Sequence, residues 1–260
     1  MVTVAEIAAF LEQFAPSRLA ADWDNVGLLV GDRDQQVQRV MTCLTITPAS
    51  AAEAIDLEAE LIVTHHPLPL RAVKRLTRDT TSGRLLLDLI AARVAVYSPH
   101  TAFDSAAAGI NQRLAQGLGL KDIAPLVPDP LGLGSGRYGG LEEPISLEQL
   151  AQRTKQFLAA GRLQLVGEPA QMVRSVAVAC GAAGELLEAA AQAGCHAMLL
   201  GEARFHTCLE AEAAGIGLVL PGHFASERFA VESLAGILGE QFPAVRVWAS
   251  RQERDPIRWM

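Results

Sequence analysis

The sequence contains no uninterrupted apolar span of about twenty residues, which is the length that a membrane-crossing helix requires. Its first residues, Met-Val-Thr-Val-Ala-Glu, also lack the basic region and apolar run of a secretory signal. We therefore expect a cytoplasmic protein with no membrane partner. Basic clusters are scarce too, since the loose run at residues 71–78 is the longest and the formal net charge is -7. Contact with phosphates needs a basic face, so nucleic acid is disfavoured as an obligatory partner.

Cysteine is rare, and its spacing argues against two common kinds of site. The four cysteines are widely separated, and at least Cys43 and Cys180 lie in apolar, strand-like runs. This pattern fits neither a disulfide set nor a zinc knuckle, so we expect reduced core residues. Hydrophobic residues make up 50% of the 260 positions, which is enough for one large or two modest domains.

Apolar periodicity predicts an α/β protein in which strands and helices alternate. A capping box at Thr3 and Glu6 marks the first helix, and Ser146 caps another that runs through Phe157. Strands are predicted at residues 26–32, 37–46, 61–63, 94–97, 173–180, 197–200 and 216–220. The other predicted helices lie at residues 48–60, 82–92, 185–193 and from Asp104 to about residue 117.

Proline and glycine are dense in residues 125–144, a composition typical of a turn-rich connection. We place the domain junction here and predict a first α/β repeat at residues 1–126 and a second at 127–260. The boundary is approximate, and packing of the C-terminal part against the first repeat is an alternative. One constant offset without gaps places Val30 on Val166 and His65 on Gly201, so we predict an internal duplication. Alternating strands and helices can also match by accident, because any two β-α-β units share a period.

The apolar run at residues 61–63 ends abruptly in Thr64, His65, His66 and Pro67. Proline cannot extend a sheet, so this pattern predicts a strand that delivers two imidazoles to a sheet edge. Neighbouring residues of an extended chain point to opposite sides, so the two histidines can serve two different metal ions. A solvated turn that contains histidine is the competing interpretation of the pair taken alone.

Polar side chains also follow the ends of three further predicted strands. In chain order they are His100, Asp104, Glu202, His206, His223 and Glu227. Sites in open α/β sheets collect at the carboxyl ends of strands, so we expect these side chains to converge with the histidine pair. Taken singly, Asp104 fits a helix N-cap and Glu227 a solvated helix residue. The spacing of His223 and Glu227, however, sets both on one helical face, as a chelate requires. His196, which precedes a strand, is interpreted as structural.

Several segments resemble motifs of the NGG-interacting-factor-three-like family, whose members are also called dinuclear metal centre proteins or GTP cyclohydrolase 1 type 2 homologues. The segments are Asp22-Trp-Asp-Asn-Val-Gly-Leu28, Thr64-His-His-Pro67, Tyr97-Ser-Pro-His-Thr-Ala-Phe-Asp104, Gly201-Glu202 and Gly222-His-Phe-Ala-Ser-Glu227. The resemblance, which spans nearly the whole chain, implies two similar, intertwined α/β domains with a dinuclear metal site between them, assembled as a toroidal homohexamer. It implies that His65, His66, Asp104, His223 and Glu227 bind two metal ions. His100, Glu202 and His206 would line the pocket.

Imidazole and carboxylate ligands without thiolate suit zinc, iron(II), manganese or nickel, and the sequence does not choose among them. Two such ions about 3.5–4 Å apart lower the pKa of a bridging water, which makes hydrolysis the natural reaction. Asp104 or Glu227 would bridge the ions, while Glu202, His206 or His100 would act as general acid or base. A glycine pair at residues 181 and 184 is a weak signal for a phosphate cradle and more often indicates close packing.

Two functions from different classes fit this ligand set. The first is a metal-dependent hydrolase that acts on a nucleotide or other small molecule, and the family name suggests opening of the purine ring of GTP by water. The second is a non-catalytic protein that stores, delivers or senses metal, or that acts through regulatory partners. A third interpretation, an α/β protein without metal, predicts that metal analysis finds nothing above background.

Overall fold

The computed structural model describes residues 1–258, and within it the chain forms two compact units. Unit 1 comprises Met1–Phe103 and Ala230–Pro256, and unit 2 is formed mainly by Asp104–Phe229. The chain passes from unit 1 to unit 2 within one helix and returns within another. Each unit contains one sheet and several helices, which confirms the predicted α/β class.

Most of the predicted helices and strands are confirmed to within a few residues. Residues 1–118 contain α1 (Val4–Phe14), β1 (Gly27–Val30), β2 (Arg39–Cys43), α2 (Pro48–Asp56), β3 (Leu61–Thr64), α3 (Thr81–Ala91), β4 (Ala95–Ser98), α4 (His100–Ser105) and α5 (Ile110–Gly117). Residues 119–258 contain β5 (Lys121–Pro128), β6 (Gly134–Ser146), α6 (Leu147–Leu158), β7 (Gln164–Val166), β8 (Met172–Ala179), α7 (Leu187–Gln192), β9 (Ala197–Leu200), α8 (Phe205–Ala213), β10 (Gly217–Leu220), α9 (His223–Gln241) and β11 (Arg246–Ala249). The helix α2 is shorter than predicted because Glu58 adopts a left-handed φ of 53°, which an α-helix cannot continue through.

The sheet of unit 1 has the strand order β1-β4-β3-β2-β11. Its last four strands are parallel neighbours, whereas β1 runs antiparallel to β4. Because carboxyl ends of parallel strands meet at one edge, the residues that follow β3 and β4 lie at the same edge. That edge receives His65 and His100.

The sheet of unit 2 has the strand order β5-β6-β8-β9-β10-β7. The strands β8, β9 and β10 are parallel, and β7 runs antiparallel to β10. The run β7-β10-β9-β8 therefore has the same order and directions as β1-β4-β3-β2 in unit 1. Its carboxyl edge leads into Glu202 after β9 and into His223 after β10.

The proline- and glycine-rich stretch at residues 125–144 lies inside unit 2 and belongs to a β-hairpin. The strands β5 and β6 pair with each other, and β6 also pairs with β8. Pro125 and Pro128 lie on β5, which is an edge strand, the position at which a sheet best accepts proline. The compact units divide between Phe103 and Asp104 and again between Phe229 and Ala230, and the two repeats at residues 1–126 and 127–260 stay a prediction.

Each unit has its own apolar core, formed where helices cover the sheet. In unit 1 the core includes Met41, Ile62, Leu89, Val96 and Trp248. In unit 2 it includes Ala177, Met198, Leu200, Leu218 and Leu220. Leu89 comes from the predicted helix α3. The others come from predicted strands, except for Trp248 on β11, a strand that the sequence pattern did not predict.

The four cysteines are reduced, and only Cys208 is partly exposed. Among residues 1–258, every helix is too short or too polar to cross a membrane.

Candidate metal centre

His65 and His66 lie directly beyond the end of β3, and backbone contacts to both neighbouring strands fix their positions. The His65 amide donates to the carbonyl oxygen of Cys43 (3.0 Å), and the Ser98 hydroxyl donates to the carbonyl oxygen of His65 (2.6 Å). The His66 amide donates to the carbonyl oxygen of Leu44 (2.8 Å). The two imidazoles are therefore held on a fixed backbone at the carboxyl edge of the unit 1 sheet.

A third imidazole, that of His100, completes what we call the unit-1 histidine cluster: His65, His66 and His100. One ring nitrogen from each residue lies within 4.8 Å of those of the other two. His65 is 2% exposed, whereas the other two side chains are partly open to solvent. His100 adopts a φ of 26°, a conformation that residues with a side chain rarely take and that is concentrated at functional sites.

Asp24, to which no role was assigned from the sequence pattern, orients the ring of His100. Its Oδ1 lies 2.7 Å from His100 Nδ1, and its carboxylate also accepts from the amides of Thr101 (3.1 Å) and Asn25 (2.7 Å) and from the Thr101 hydroxyl. Burial by itself would raise the pKa of Asp24, but these hydrogen bonds, led by that of His100, lower it to about 2. A permanent carboxylate thus favours a proton on Nδ1 of His100, which leaves Nε2 as the nitrogen for a ligand or a proton.

Unit 2 contains an acid–histidine cluster formed by Glu202, His223 and Glu227. His223 begins α9, and Glu227 lies one turn later with its Oε2 3.1 Å from His223 Nε2. Glu202 Oε1 lies 3.0 Å from His223 Nδ1. The predicted sharing of one helical face is confirmed. Glu227 is only 3% exposed, however, so the interpretation of it as a solvated residue was wrong.

Asp104 lies inside α4 and is not a helix N-cap. The helix already begins at His100, where the amide of Phe103 donates to the carbonyl oxygen of Pro99. The Cys180 thiol donates to Asp104 Oδ1 (3.0 Å). Burial raises the pKa of Cys180 well above its ordinary value, and the carboxylates of Asp104 and Glu227 raise it further. Cys180 is therefore a neutral donor that orients the Asp104 carboxylate.

Gly181 allows the Glu227 carboxylate to lie close to the backbone. Gly181 has a φ of 64°, and a Cβ at this position would collide with Glu227 Oε1 and lie 3.4 Å from His223 Nε2. The amide of Gly181 donates to Ser226 Oγ (3.0 Å) on α9. This glycine serves close packing around the acid–histidine cluster, which supports that interpretation over a phosphate cradle.

Two histidines of unit 2 lie outside the acid–histidine cluster. His206 is exposed in the first turn of α8, with its ring centroid 5.9 Å from that of Phe205, and within the described residues it makes no polar contact with Glu202, His223 or Glu227. His196 is exposed as well, and its Nδ1 lies 2.8 Å from Ser175 Oγ. The geometry gives neither residue a place among the ligands of that cluster.

Comparison with known proteins gives the family. Residues 2–256 match the family described as Duf34/NIF3 (NGG1p interacting factor 3). The chain belongs to this family. The Duf34/NIF3 chain is 30% identical to a Clostridium acetobutylicum protein named GTP cyclohydrolase 1 type 2 homolog, over 98% of both chains. It is 35% identical to a Streptomyces coelicolor protein of the same name, over 87% of this chain and 82% of that protein.

The fold of this Duf34/NIF3 protein is also found in solved structures. A Bacillus cereus protein related to NIF3 matches it with a TM-score of 0.91 at 22% identity, over 100% of this chain and 99% of that chain. This likeness shows the fold, and the family match confirms the resemblance inferred from the sequence motifs.

The donor atoms of this Duf34/NIF3 protein fit divalent transition metals. Unit 1 offers three imidazoles at one sheet edge, and unit 2 offers the imidazole of His223 with the buried carboxylate of Glu227. The donor atoms of both groups are imidazole nitrogens and carboxylate oxygens. Such a set suits zinc, iron(II), manganese or nickel.

In the metal-free protein, His223 is expected to titrate near pH 9. The hydrogen bond to Glu227 is the largest cause of the raised pKa, and Glu202 adds to it. Because the folded-state pKa lies above the ordinary value of 6.5, this contribution to stability is complete below pH 6.5 and is lost as the pH rises through about 9. Metal binding to this imidazole must displace its proton, so affinity should increase with pH over the same range.

The measurement is the ¹³Cε1 chemical shift of His223 as a function of pH, with the Glu227→Gln variant as comparison. Removing the carboxylate should bring the pKa of His223 back towards 6.5. A His223 pKa below 7 in the unaltered, metal-free protein would contradict the hydrogen-bonding arrangement described here.

Proposed function

We propose that this Duf34/NIF3 protein binds two divalent metal ions through His65, His66, Asp104, His223 and Glu227 and uses them to hydrolyse a small molecule. The proposal joins ligands of both units in one dinuclear centre, as the family resemblance implies. Two relatives are named GTP cyclohydrolase 1 type 2 homolog, which makes a purine nucleotide the first substrate to test. The supporting observation is the convergence of three imidazoles at the carboxyl edge of the unit 1 sheet.

When bound, the ions would supply Lewis-acid activation of a water nucleophile and stabilise the charge that develops on the attacked group. His100 would accept a proton at Nε2, and the Asp24 carboxylate at Nδ1 would stabilise the imidazolium that results. Glu202 holds the ring of His223 through Nδ1, so we assign it a positioning role. His206, which was predicted as a further acid or base, receives no step in this mechanism.

An exposed tryptophan beside His100 supports a planar substrate. The Trp23 side chain is 66% exposed, and its ring meets the His100 ring edge to face at 5.9 Å. The loop around it is fixed, because Asn25 Nδ2 donates to the carbonyl oxygen of Pro69 (2.7 Å) and the amide of Ala21 donates to Thr101 Oγ1 (2.9 Å). An indole held open to solvent on a fixed loop is a suitable surface for stacking a nucleobase.

Trp23→Ala is therefore expected to raise KM for a purine nucleotide by roughly 5- to 150-fold, because one base–aromatic stack contributes about 1–3 kcal/mol. The kcat value and the metal content should change little. Trp23→Phe should retain most of the affinity, and Phe205→Ala, which removes another exposed ring, is the matched control. An unchanged KM in Trp23→Ala would exclude stacking at this position.

The Asp24→Asn variant separates a hydrolase from a metal store. If His100 transfers a proton, this change should lower kcat by roughly 100-fold or more while two metal equivalents remain bound. The matched control is Asp22→Asn, which makes the same change at an exposed position of the same loop.

Turnover is tested with zinc, iron(II), manganese or nickel added to purified protein. The substrates are GTP, followed by formate release, and a panel of phosphoesters and amides. Bound metal without turnover on any substrate would favour the non-catalytic role, whereas absence of bound metal would overturn the proposal as a whole.

Three further parts of the proposal concern origin, assembly and location. We infer an internal duplication from the shared strand order of β1-β4-β3-β2 and β7-β10-β9-β8. We infer a toroidal homohexamer from the family resemblance. Light scattering on the purified protein measures the molar mass of the assembly and so tests this inference. The cytoplasmic location is tested by cell fractionation.

A further inference from the structure

Hydrogen bonds to two buried glutamates, Glu53 and Glu253, hold the C-terminal segment after β11 in place within unit 1. Glu53 on α2 accepts from the Ser250 hydroxyl (2.6 Å) and from the amides of Arg251 (3.0 Å) and Gln252 (3.1 Å). Glu53 is 8% exposed and Glu253 is 5% exposed. The first residues of the polar tail that starts at residue 251 are thus held against α2.

The Glu253 carboxylate binds the two backbone amides that follow β2. Its Oε2 accepts from the Leu44 amide (2.9 Å), and its Oε1 accepts from the Thr45 amide (2.6 Å). Hydrogen bonds to a carboxylate are about twice as strong as those between neutral groups. The two-point contact therefore fixes both the position and the direction of the backbone at Leu44 and Thr45.

That same backbone segment holds His66. Thr45 Oγ1 lies 2.7 Å from His66 Nδ1, and the carbonyl oxygen of Leu44 accepts from the His66 amide at 2.8 Å. A histidine that binds metal through Nε2 must carry its proton on Nδ1 and needs an acceptor there. The Thr45 hydroxyl oxygen is in position to be that acceptor.

We propose that Glu253, acting through Thr45, is a positioning residue that sets the ring orientation of His66 and directs its Nε2 to metal. This inference rests on the proposed metal site and adds to it a residue from the far end of the chain. The contact chain is Glu253 carboxylate, Thr45 amide, Thr45 hydroxyl and His66 Nδ1, and every link lies within unit 1.

The test is a double-mutant cycle of Glu253→Gln and Thr45→Val, read out as affinity for Zn²⁺ and for Mn²⁺. Glu253→Gln keeps the size of the side chain but replaces one carboxylate oxygen with an NH₂ group. A donor then faces a backbone N–H that needs an acceptor. Thr45→Val removes the hydroxyl and leaves the carboxylate contacts in place. Each single variant should bind metal 10- to 100-fold more weakly, as is typical when the partner of a metal-binding histidine is lost.

The double variant should bind no more weakly than Thr45→Val alone, because both changes act through one contact. Thr45→Ser, which restores a hydroxyl, should recover most of the affinity. Gln252→Ala, an exposed neighbour in the same tail, is the matched control and should bind as the unaltered protein does. Fully additive effects, or unchanged affinity in Glu253→Gln, would overturn the proposal.

A second readout needs no metal and separates this inference from the proposed function. In the unaltered, metal-free protein, the ¹⁵N shifts of His66 should show one dominant tautomer with the proton on Nδ1, and both single variants should show a mixture. If the unaltered protein binds no metal, the proposed function fails while this spectrum still reports on the contact. If it binds metal but the spectra of the variants match its own, only the positioning role is wrong.

Discussion

Replacing His65 with alanine is expected to lower the affinity for divalent metal by roughly 100-fold or more, because loss of a ligand should cost more than the 10- to 100-fold typical of an outer-shell partner. His65 is the most buried member of the unit-1 histidine cluster and lies on a backbone fixed by Cys43 and Ser98. Because His65 is buried on a fixed backbone, we expect no neighbouring side chain to replace its imidazole as a ligand. Calorimetric titration and elemental analysis of the purified variant measure the effect.

The matched control is His196→Ala, which removes an exposed imidazole of unit 2. It should leave metal content and affinity unchanged. Equal metal content in the His65→Ala variant and the unaltered protein would show that His65 is not a ligand. In a metal-loaded crystal, the imidazoles of His65 and His223 should lie within about 10 Å of each other if one dinuclear core uses both.

The largest expected loss of stability comes from Arg137→Met. Arg137 is 2% exposed, and its guanidinium donates to four backbone carbonyl oxygens, namely those of Ser105 (2.8 Å), Ala106 (2.9 Å), Gly134 (2.7 Å) and Gly136 (2.7 Å). Each buried acceptor left without a donor costs about 1–3 kcal/mol. We expect the free energy of unfolding to fall by about 4 kcal/mol or more, measured by urea denaturation.

Arg174→Met is the control, because Arg174 is an exposed residue of the same sheet. Its effect should stay within about 0.5 kcal/mol. Arg137 also fixes the carbonyl groups that directly follow Asp104, so Arg137→Met should weaken metal binding as well. A loss below about 1 kcal/mol for Arg137→Met would mean that water or other donors replace the guanidinium.

The parts of the fold that the sequence predicted are those governed by local chemistry. Thr3 with Glu6 and Ser146 with Gln149 form the capping boxes of α1 and α6. The apolar runs before His65 and before Glu202 became β3 and β9 because each is long enough, and apolar enough, to be buried on both faces. A strand that ends in polar side chains was the signal that located the histidine pair.

The residues that the sequence missed depend on distant partners. Asp24 faces His100, and Glu253 faces Leu44, so no window of local sequence contains both members of either pair. One sequence signal did point to Asp24. The segment Asp22–Leu28 is one of the motifs that resemble the family, yet no function was assigned to any of its residues. The hairpin of β5 and β6 was missed because sheets accept proline only on edge strands or at irregularities, as on β5 and at Pro144 of β6, and neither strand order nor pairing register is a local property.

Unit 1 is completed by the last part of the chain, and this order has a consequence for folding during synthesis. The strand β2 is bordered on one side by β3 and on the other by β11, whose Trp248 belongs to the apolar core. Until residues 246–249 leave the ribosome, β2 is an open sheet edge that invites pairing with another nascent chain. The first unit to be translated should therefore be the last to become native, and a ribosome stalled before residue 246 should carry a chain that requires chaperone protection.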